Sequence, residues 1–195
     1  MPTPNFGTGF EHQIIATGAV ATGGTQIWNG ASGTISVDTT TFRTGSASLR
    51  VNPTAALGYL RRTVVAGNRH LVGVIHYHFT SLPTGDNSEV VTFGADAQVG
   101  IGVRASDGKW YASNGTTQVS ALGPSTAGWY RIDFHFDTST NPHTIYWKIN
   151  GVTQTQVDRA TAAADIANYS LGAVVTPTTV DFNIDDVAIS YATGD

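Results

Sequence analysis

Residues 129–151 read WYRIDFHFDTSTNPHTIYWKING and contain two strand patterns with a polar segment between them. Every second residue of the first pattern is apolar, namely Tyr130, Ile132, Phe134 and Phe136. The second pattern has the same two-residue period and places Ile145, Trp147 and Ile149 on one side. A period of two is typical of a strand with one buried face, and the Thr, Ser, Asn and Pro residues between the patterns favour a turn. The stretch therefore predicts an antiparallel hairpin whose apolar residues face the core.

The hairpin ends at Asn150-Gly151, a dipeptide that suits a type I′ turn. Such a turn needs positive φ at both central residues, which Asn and Gly tolerate. We therefore expect a further strand, Val152 to Val157, to fold back onto the second strand of the hairpin.

The composition agrees with a single all-β domain spanning residues 1–195. Charged residues make up 12% of the chain and hydrophobic residues 41%, and there are 22 glycines. Many short strands joined by tight turns fit this composition better than helices do. The ten Lys and Arg residues are scattered and the net charge is −4, so neither nucleic acid nor a charge-driven membrane contact is expected.

The same alternation predicts about a dozen strands along the chain. The clearest segments outside the hairpin are residues 42–51, 57–65, 70–80, 89–93, 98–105, 109–113, 169–174 and 180–191. In the last segment the apolar residues change from even to odd positions, which predicts a β-bulge at Asp185-Asp186. Only the Ala-rich segment Arg159 to Ile166 predicts a helix, of about two turns. This order of strands predicts two packed antiparallel sheets in a jelly-roll sandwich.

The chain contains no cysteine and its N-terminus has no signal-peptide pattern. Disulfides and thiolate metal sites are thereby excluded. Residues 1–24 lack a basic n-region and a long apolar run, so we expect cytoplasmic synthesis without a signal peptide.

Three short motifs resemble the concanavalin A-like lectin/glucanase superfamily, in particular its laminin G-like jelly rolls. They are TGSASLRV at residues 44–51, GWYRI at 128–132 with YWKING at 146–151, and IDDVAI at 184–189. Together they extend over nearly the whole chain in matching order. The motifs are mainly structural, so the resemblance implies the fold more than an activity.

A second resemblance concerns the two ends of the chain. Phe10-Glu11 and the segment FNIDDV at residues 182–187 are similar to the ends of galactose-binding-like carbohydrate-binding modules, where an early Glu and a late Asp hold structural calcium. This resemblance implies a calcium site formed by Glu11 with Asp185 or Asp186, since carboxylates suit Ca²⁺. The alternative is a polar bulge that caps strand ends, and no cofactor is required by the sequence.

Glycoside hydrolysis is not expected, because a pair of correctly spaced carboxylates is missing. The related glucanases carry a Glu-x-Asp-x-Glu type strand, whereas this chain has two glutamates, Glu11 and Glu89, in unrelated segments. Hydrolysis requires carboxyl groups about 5–5.5 or 6.5–9.5 Å apart. Asp133 and Asp137 are four residues apart on one strand face, or roughly 13 Å. The sequence therefore predicts a protein that is not an enzyme.

Histidines and aromatic residues supply the remaining candidate contacts. His76 and His78 share one strand face, and His135 lies on the polar side of its own strand with Asp133. Three such histidines could hold a metal, or they could simply be solvated. Trp110 and Tyr111 follow the Asp107-Gly108 turn and are predicted to be exposed and available to stack on sugar rings.

Two functions remain open. The first is a non-enzymatic virion protein that is either tail-associated or decorates a capsid, and the resemblance to jelly rolls of tailed phages implies it. Its partners would be neighbouring virion proteins, further copies of the same chain or a cell-surface polysaccharide. The alternative is a bacterial carbohydrate-binding lectin or module that is secreted.

Overall fold

The protein is a two-sheet antiparallel β-sandwich in the computed structural model, which describes residues 6–8, 28, 30–64, 66–86, 88–94, 99–114 and 116–193. All regular elements of these residues are strands. The described residues accordingly include no helix that could span a membrane. The predicted jelly-roll sandwich is confirmed.

The larger sheet, called sheet A, has the order β13-β12-β11-β6-β16-β4-β3, with β1 on β16 and β14 on β12. Its strands are β1 (Phe6–Thr8), β3 (Ile35–Asp38), β4 (Ser48–Val51), β6 (Asn68–Ser81), β11 (Trp129–Asp137), β12 (His143–Ile149), β13 (Val152–Thr153), β14 (Val157–Arg159) and β16 (Asp181–Thr193).

The second sheet, sheet B, has the order β10-β9-β8-β7-β15-β5-β2. Its strands are β2 (Gly30–Gly33), β5 (Ala56–Thr63), β7 (Ser88–Phe93), β8 (Val99–Val103), β9 (Trp110–Asn114), β10 (Thr117–Val119) and β15 (Asn168–Thr178).

The predicted hairpin forms β11 and β12 of sheet A. Phe134 lies opposite Trp147, and both side chains are buried, as the alternation requires. Asn150 and Gly151 have φ values of 49° and 82°, so both central residues of the turn adopt the positive φ that a type I′ turn needs. The chain then returns along β12 as two short strands, β13 and β14, instead of the single strand that was predicted.

The core lies between the two sheets and contains side chains from both. Phe93 of sheet B packs on Phe134 and Phe136 of sheet A, with ring centroids 4.8 and 5.3 Å apart. Further along, Tyr77 of sheet A meets Trp110 of sheet B at 5.9 Å. These contacts make one continuous apolar cluster that both sheets share.

The predicted bulge at Asp185-Asp186 is confirmed. The pairing of β16 with β6 shifts between Asp185 and Ala188, and Asp186 has a positive φ of 45°. The extra residue restores the apolar alternation, so that Val187 faces the core.

The predicted helix at Arg159 to Ile166 is wrong. Arg159 ends β14, and the residues after it form no regular element up to Asn168. Backbone N–H groups of this segment bond to distant carbonyls, with Ala164 N donating to Thr138 O and Ile166 N to Asn68 O. Two turns of Ala-rich sequence are too short to be stable alone, and burial of Ile166 favours the extended path.

Candidate functional site

The surface of sheet A that faces away from the core, called the outer face of sheet A, collects most of the predicted contact residues. Strand pairing places Arg131 opposite His76, His135 opposite Val72, and Asp137 opposite His70. Because residues two apart on a strand share a face, these side chains and Asp133 project on the same side.

A shallow groove of about 380 Å³ runs along the β11-β12 part of this face. Asp133, His135, Tyr146 and Lys148 line it, together with Gln154 from the segment after β13. Tyr146 is 45% exposed, and the ring of His135 stacks beside it with centroids 5.6 Å apart and an interplanar angle of 26°. The groove therefore offers an exposed aromatic ring with both apolar and hydrogen-bonding neighbours.

Charged groups in the groove are held by neighbours on the same sheet. Arg131 donates to the carboxylate of Asp133 through Nε and Nη2, at 3.0 and 2.5 Å. Lys148 is the cross-strand neighbour of Asp133 on β12. The bond to Arg131 fixes the position of the Asp133 carboxylate, and the negative charge of Asp133 is offset by the positive charges of Arg131 and Lys148.

The structure brings a different set of histidines together from the set that the sequence suggested. His70 Nδ1 lies 3.2 Å from His135 Nε2 and 3.5 Å from Asp137 Oδ1. Ligand atoms of these three residues all lie within 4.8 Å of one another, and the group is the one set of three His, Cys, Asp or Glu residues within the described part of the chain that could hold a metal ion. The grouping of His76 and His78 with His135 is wrong.

His76 and His78 lie farther along β6, in other surroundings. His76 is buried opposite Asp185 of β16, and its pKa is lowered by burial and by the charge of Arg43. The ring of His78 packs against that of Trp129, with centroids 5.5 Å apart.

Trp110 and Tyr111 are not the exposed aromatic pair that was predicted. Trp110 is fully buried in the core, where it meets the edge of Phe79 at 5.7 Å. Tyr111 is 1% exposed and projects from the other side of sheet B, over Gly102. Both belong to strand β9, and all five residues of this strand are buried. Their position just after the Asp107-Gly108 turn therefore does not make them exposed.

Glu89 was overlooked as a titratable site, although the sequence places it within the apolar strand segment 89–93. It is 2% exposed and lies opposite Gly102, which in turn lies opposite Tyr111. Burial raises the pKa of this carboxyl from 4.5 to about 7. The Tyr111 hydroxyl lies close enough to act on the Glu89 carboxyl, but this contact lowers the pKa of Glu89 less than burial raises it.

Asp185 and Asp186, the described members of the predicted calcium site, are occupied by protein donors. Asp185 Oδ2 accepts from the backbone N–H of Arg43 and Thr44, and its Oδ1 from that of Asp186. The carboxylate of Asp186 bonds to the side chains of Arg43 and Thr44. Because both oxygens of Asp185 already accept backbone N–H groups, this carboxylate does not fit a cation in this arrangement. Glu11 lies outside the described residues, so calcium stays a prediction.

Comparison with known proteins places the fold among sandwiches of several kinds. No family model and no curated protein sequence matches the chain. Cellulose induced protein, Cip1, superposes with a TM-score of 0.68 at 16% identity, over 95% of this chain and 96% of Cip1. Domain 4 of AbnA, a GH43 extracellular arabinanase from Geobacillus stearothermophilus determined with arabinotriose, gives 0.56 at 17%, over 85% and 78%. A Trypanosoma rangeli sialidase gives 0.54 at 16%, over 83% of this chain and 27% of the enzyme.

At these identities the likeness shows the fold alone. The proteins that share it include an arabinanase domain determined with arabinotriose. The virion location stays a prediction. Capsid, portal or tape-measure genes beside this gene would support it, and a glycosidase operon would contradict it.

Proposed function

We propose that the protein is a non-catalytic carbohydrate-binding module that binds an oligosaccharide chain in the groove on the outer face of sheet A. One observation carries the proposal: Tyr146 presents an exposed ring in a groove that combines apolar residues such as Val72 with the polar side chains of Asp133, His135 and Lys148.

The chemistry of the groove matches that of a sugar. A pyranose or furanose ring has an apolar C–H face, which packs on an aromatic ring, and a rim of hydroxyl groups, which both donate and accept hydrogen bonds. Tyr146 supplies the platform, Asp133 supplies an acceptor, and Lys148 supplies a donor.

The carboxylates on this face are already bound by neighbouring side chains, which agrees with a binding role without catalysis. Asp133 is paired with Arg131, and Asp137 Oδ1 accepts hydrogen bonds from Ser139 N and Oγ at 2.8 and 2.6 Å. Glu89, whose raised pKa would suit a general acid, lies in sheet B and not in this groove. Among the described residues that line the groove Asp133 is the one carboxylate, whereas hydrolysis uses a pair, and this supports a binding role.

Glycan binding is tested by screening the protein on an array of plant and microbial oligosaccharides that includes arabinotriose, followed by calorimetry on the best ligand. We expect Tyr146→Ala to weaken that binding by about tenfold, because one stacked aromatic contact is lost. The matched control is Leu122→Ala, which removes another exposed apolar side chain, 42% exposed, beside sheet B.

The control variant should bind as the unmodified protein does. Absence of binding to every glycan on the array would overturn the proposal. So would equal affinities of the unmodified protein and Tyr146→Ala, which would move the site elsewhere on the molecule.

A further inference from the structure

We propose that His70, His135 and Asp137 form a binding site for a late first-row divalent cation, of which Zn²⁺ is the representative. The three residues meet on the outer face of sheet A whether or not a glycan is bound, and of the three His135 also lines the groove.

The spacing of the donor atoms is close to that of a metal centre. Bonds of about 2.0–2.2 Å from nitrogen and oxygen to Zn²⁺ imply ligand atoms roughly 3.3 Å apart in a tetrahedral site. His70 Nδ1 is 3.2 Å from His135 Nε2 and 3.5 Å from Asp137 Oδ1, and no pair among the three exceeds 4.8 Å. Small side-chain rotations are enough to bring all three donors onto one cation.

Sheet pairing fixes this arrangement. Asp137 lies directly opposite His70 on the neighbouring strand, and His135 lies two residues before Asp137 on the same face. Cross-strand neighbours on one face are about 5 Å apart at Cβ, which is a distance that short metal-binding side chains can span. The backbone therefore holds the three donors near one point before any ion arrives.

Neighbouring side chains orient two of the ligands. Ser139 donates to Asp137 Oδ1 from both its backbone N–H and its hydroxyl. Tyr146 stacks on the ring of His135. Contacts of this kind orient the ligands of many metal sites.

The donor set selects the class of cation. Two imidazoles and one carboxylate suit Zn²⁺, Cu²⁺, Ni²⁺ or Fe²⁺, whereas Mg²⁺ prefers oxygen ligands and retains its water. The side chains of His70 and Asp137 are each 21% exposed, so an ion can enter from solvent and water can complete its coordination.

The simpler alternative is a hydrogen bond between the two rings, in which one nitrogen donates and the other accepts. In that case a proton, and not a metal ion, lies between the two ring nitrogens and accounts for their short separation. The two alternatives differ in one measurable property, the affinity for added Zn²⁺.

The test is isothermal titration of untagged, metal-free protein with ZnCl₂. We expect one Zn²⁺ per chain, and a loss of at least about tenfold in affinity for each of His70→Gln, His135→Gln and Asp137→Asn. Zn²⁺ should also raise the melting temperature of the unmodified protein, because it binds the folded state, and should not raise that of His70→Gln.

Two controls separate this site from chance binding to surface histidines. His78→Gln alters a histidine on the same face of β6 that is outside the cluster and should leave Zn²⁺ affinity unchanged. Mg²⁺ should give no heat of binding. The proposal is overturned if the unmodified protein binds no Zn²⁺, if His78→Gln weakens binding as much as His70→Gln, or if Mg²⁺ binds equally well. Unchanged melting of the metal-free variants shows that they fold.

Discussion

Glu89 is an ionisable carboxyl that is buried in sheet B. A carboxyl buried without a cationic partner is costly when ionised, so folding favours the neutral form. Burial raises its pKa to about 7, and the nearby Tyr111 hydroxyl is itself buried and has a raised pKa. The consequence is a residue that changes charge near neutral pH inside sheet B.

We predict that Glu89 makes the protein less stable as pH rises. Below about pH 4.5 the carboxyl is protonated in both folded and unfolded chains, and between 4.5 and 7 only the folded chain keeps the proton. This contribution to stability is therefore present below pH 4.5 and lost as pH rises through 7, a difference of roughly 3 kcal/mol. Urea unfolding at pH 5 and pH 8 measures it.

Glu89→Gln provides the comparison for this prediction. The variant keeps the shape and cannot ionise, so it should be the more stable protein at pH 8 and show a smaller loss between the two pH values. The lowered pKa values of His76 and His135 act in the opposite direction but are common to both proteins. Parallel pH profiles of the two proteins would contradict the prediction.

Among the elements, the bulge in β16 places two consecutive carboxylates in different surroundings, one buried and one partly exposed. Asp185 is fully buried and accepts three backbone N–H groups, two of which belong to the loop before β4. Asp186 projects outward, where it pairs with Arg43. The bulge thus ties β16 to the loop between β3 and β4 through Asp185.

Asp185→Asn should destabilise the protein by about 1–3 kcal/mol, because an amide turns at least one N–H donor toward backbone donors that then lack an acceptor. Asp186→Asn is the matched control. It should cost less than about 1 kcal/mol, since the pair with Arg43 is partly exposed and Asn tolerates the positive φ of 45°. Denaturant unfolding of both variants measures the difference, and equal costs would show that the loop is not held through Asp185.

At the scale of the whole molecule, the two sheets are stabilised by one apolar cluster. Sheet A supplies Phe134 and Phe136, and sheet B supplies Phe93 between them. Neither sheet can bury this face without the other, so we expect them to unfold together.

Phe93→Ala should therefore lower the free energy of unfolding by about 3–5 kcal/mol and still give one transition. Tryptophan fluorescence and far-UV circular dichroism should report the same midpoint in urea. Phe42→Ala, at a residue 38% exposed, is the control and should change stability by less than about 0.5 kcal/mol. Two separate midpoints in the unmodified protein would show that the sheets unfold independently.

Local sequence alone determined the hairpin, the bulge and most of the strands. Alternation with period two is a property of neighbouring residues, so the core face of β11 and the shift at Asp185-Asp186 were both visible in the chain. The helix prediction failed where local propensity was weak and the burial of Ile166, a tertiary contact, decided the path.

Only the tertiary structure decided which polar side chains meet. Spacing along β6 could not tell His70 from His76 or His78 as the neighbour of His135, because that choice depends on the register between β6 and β11. Nor could it show that Trp110 and Tyr111 are buried or that Glu89 lies near Tyr111. Register and burial arise from contacts between residues far apart in the chain, and a local pattern contains no information about them.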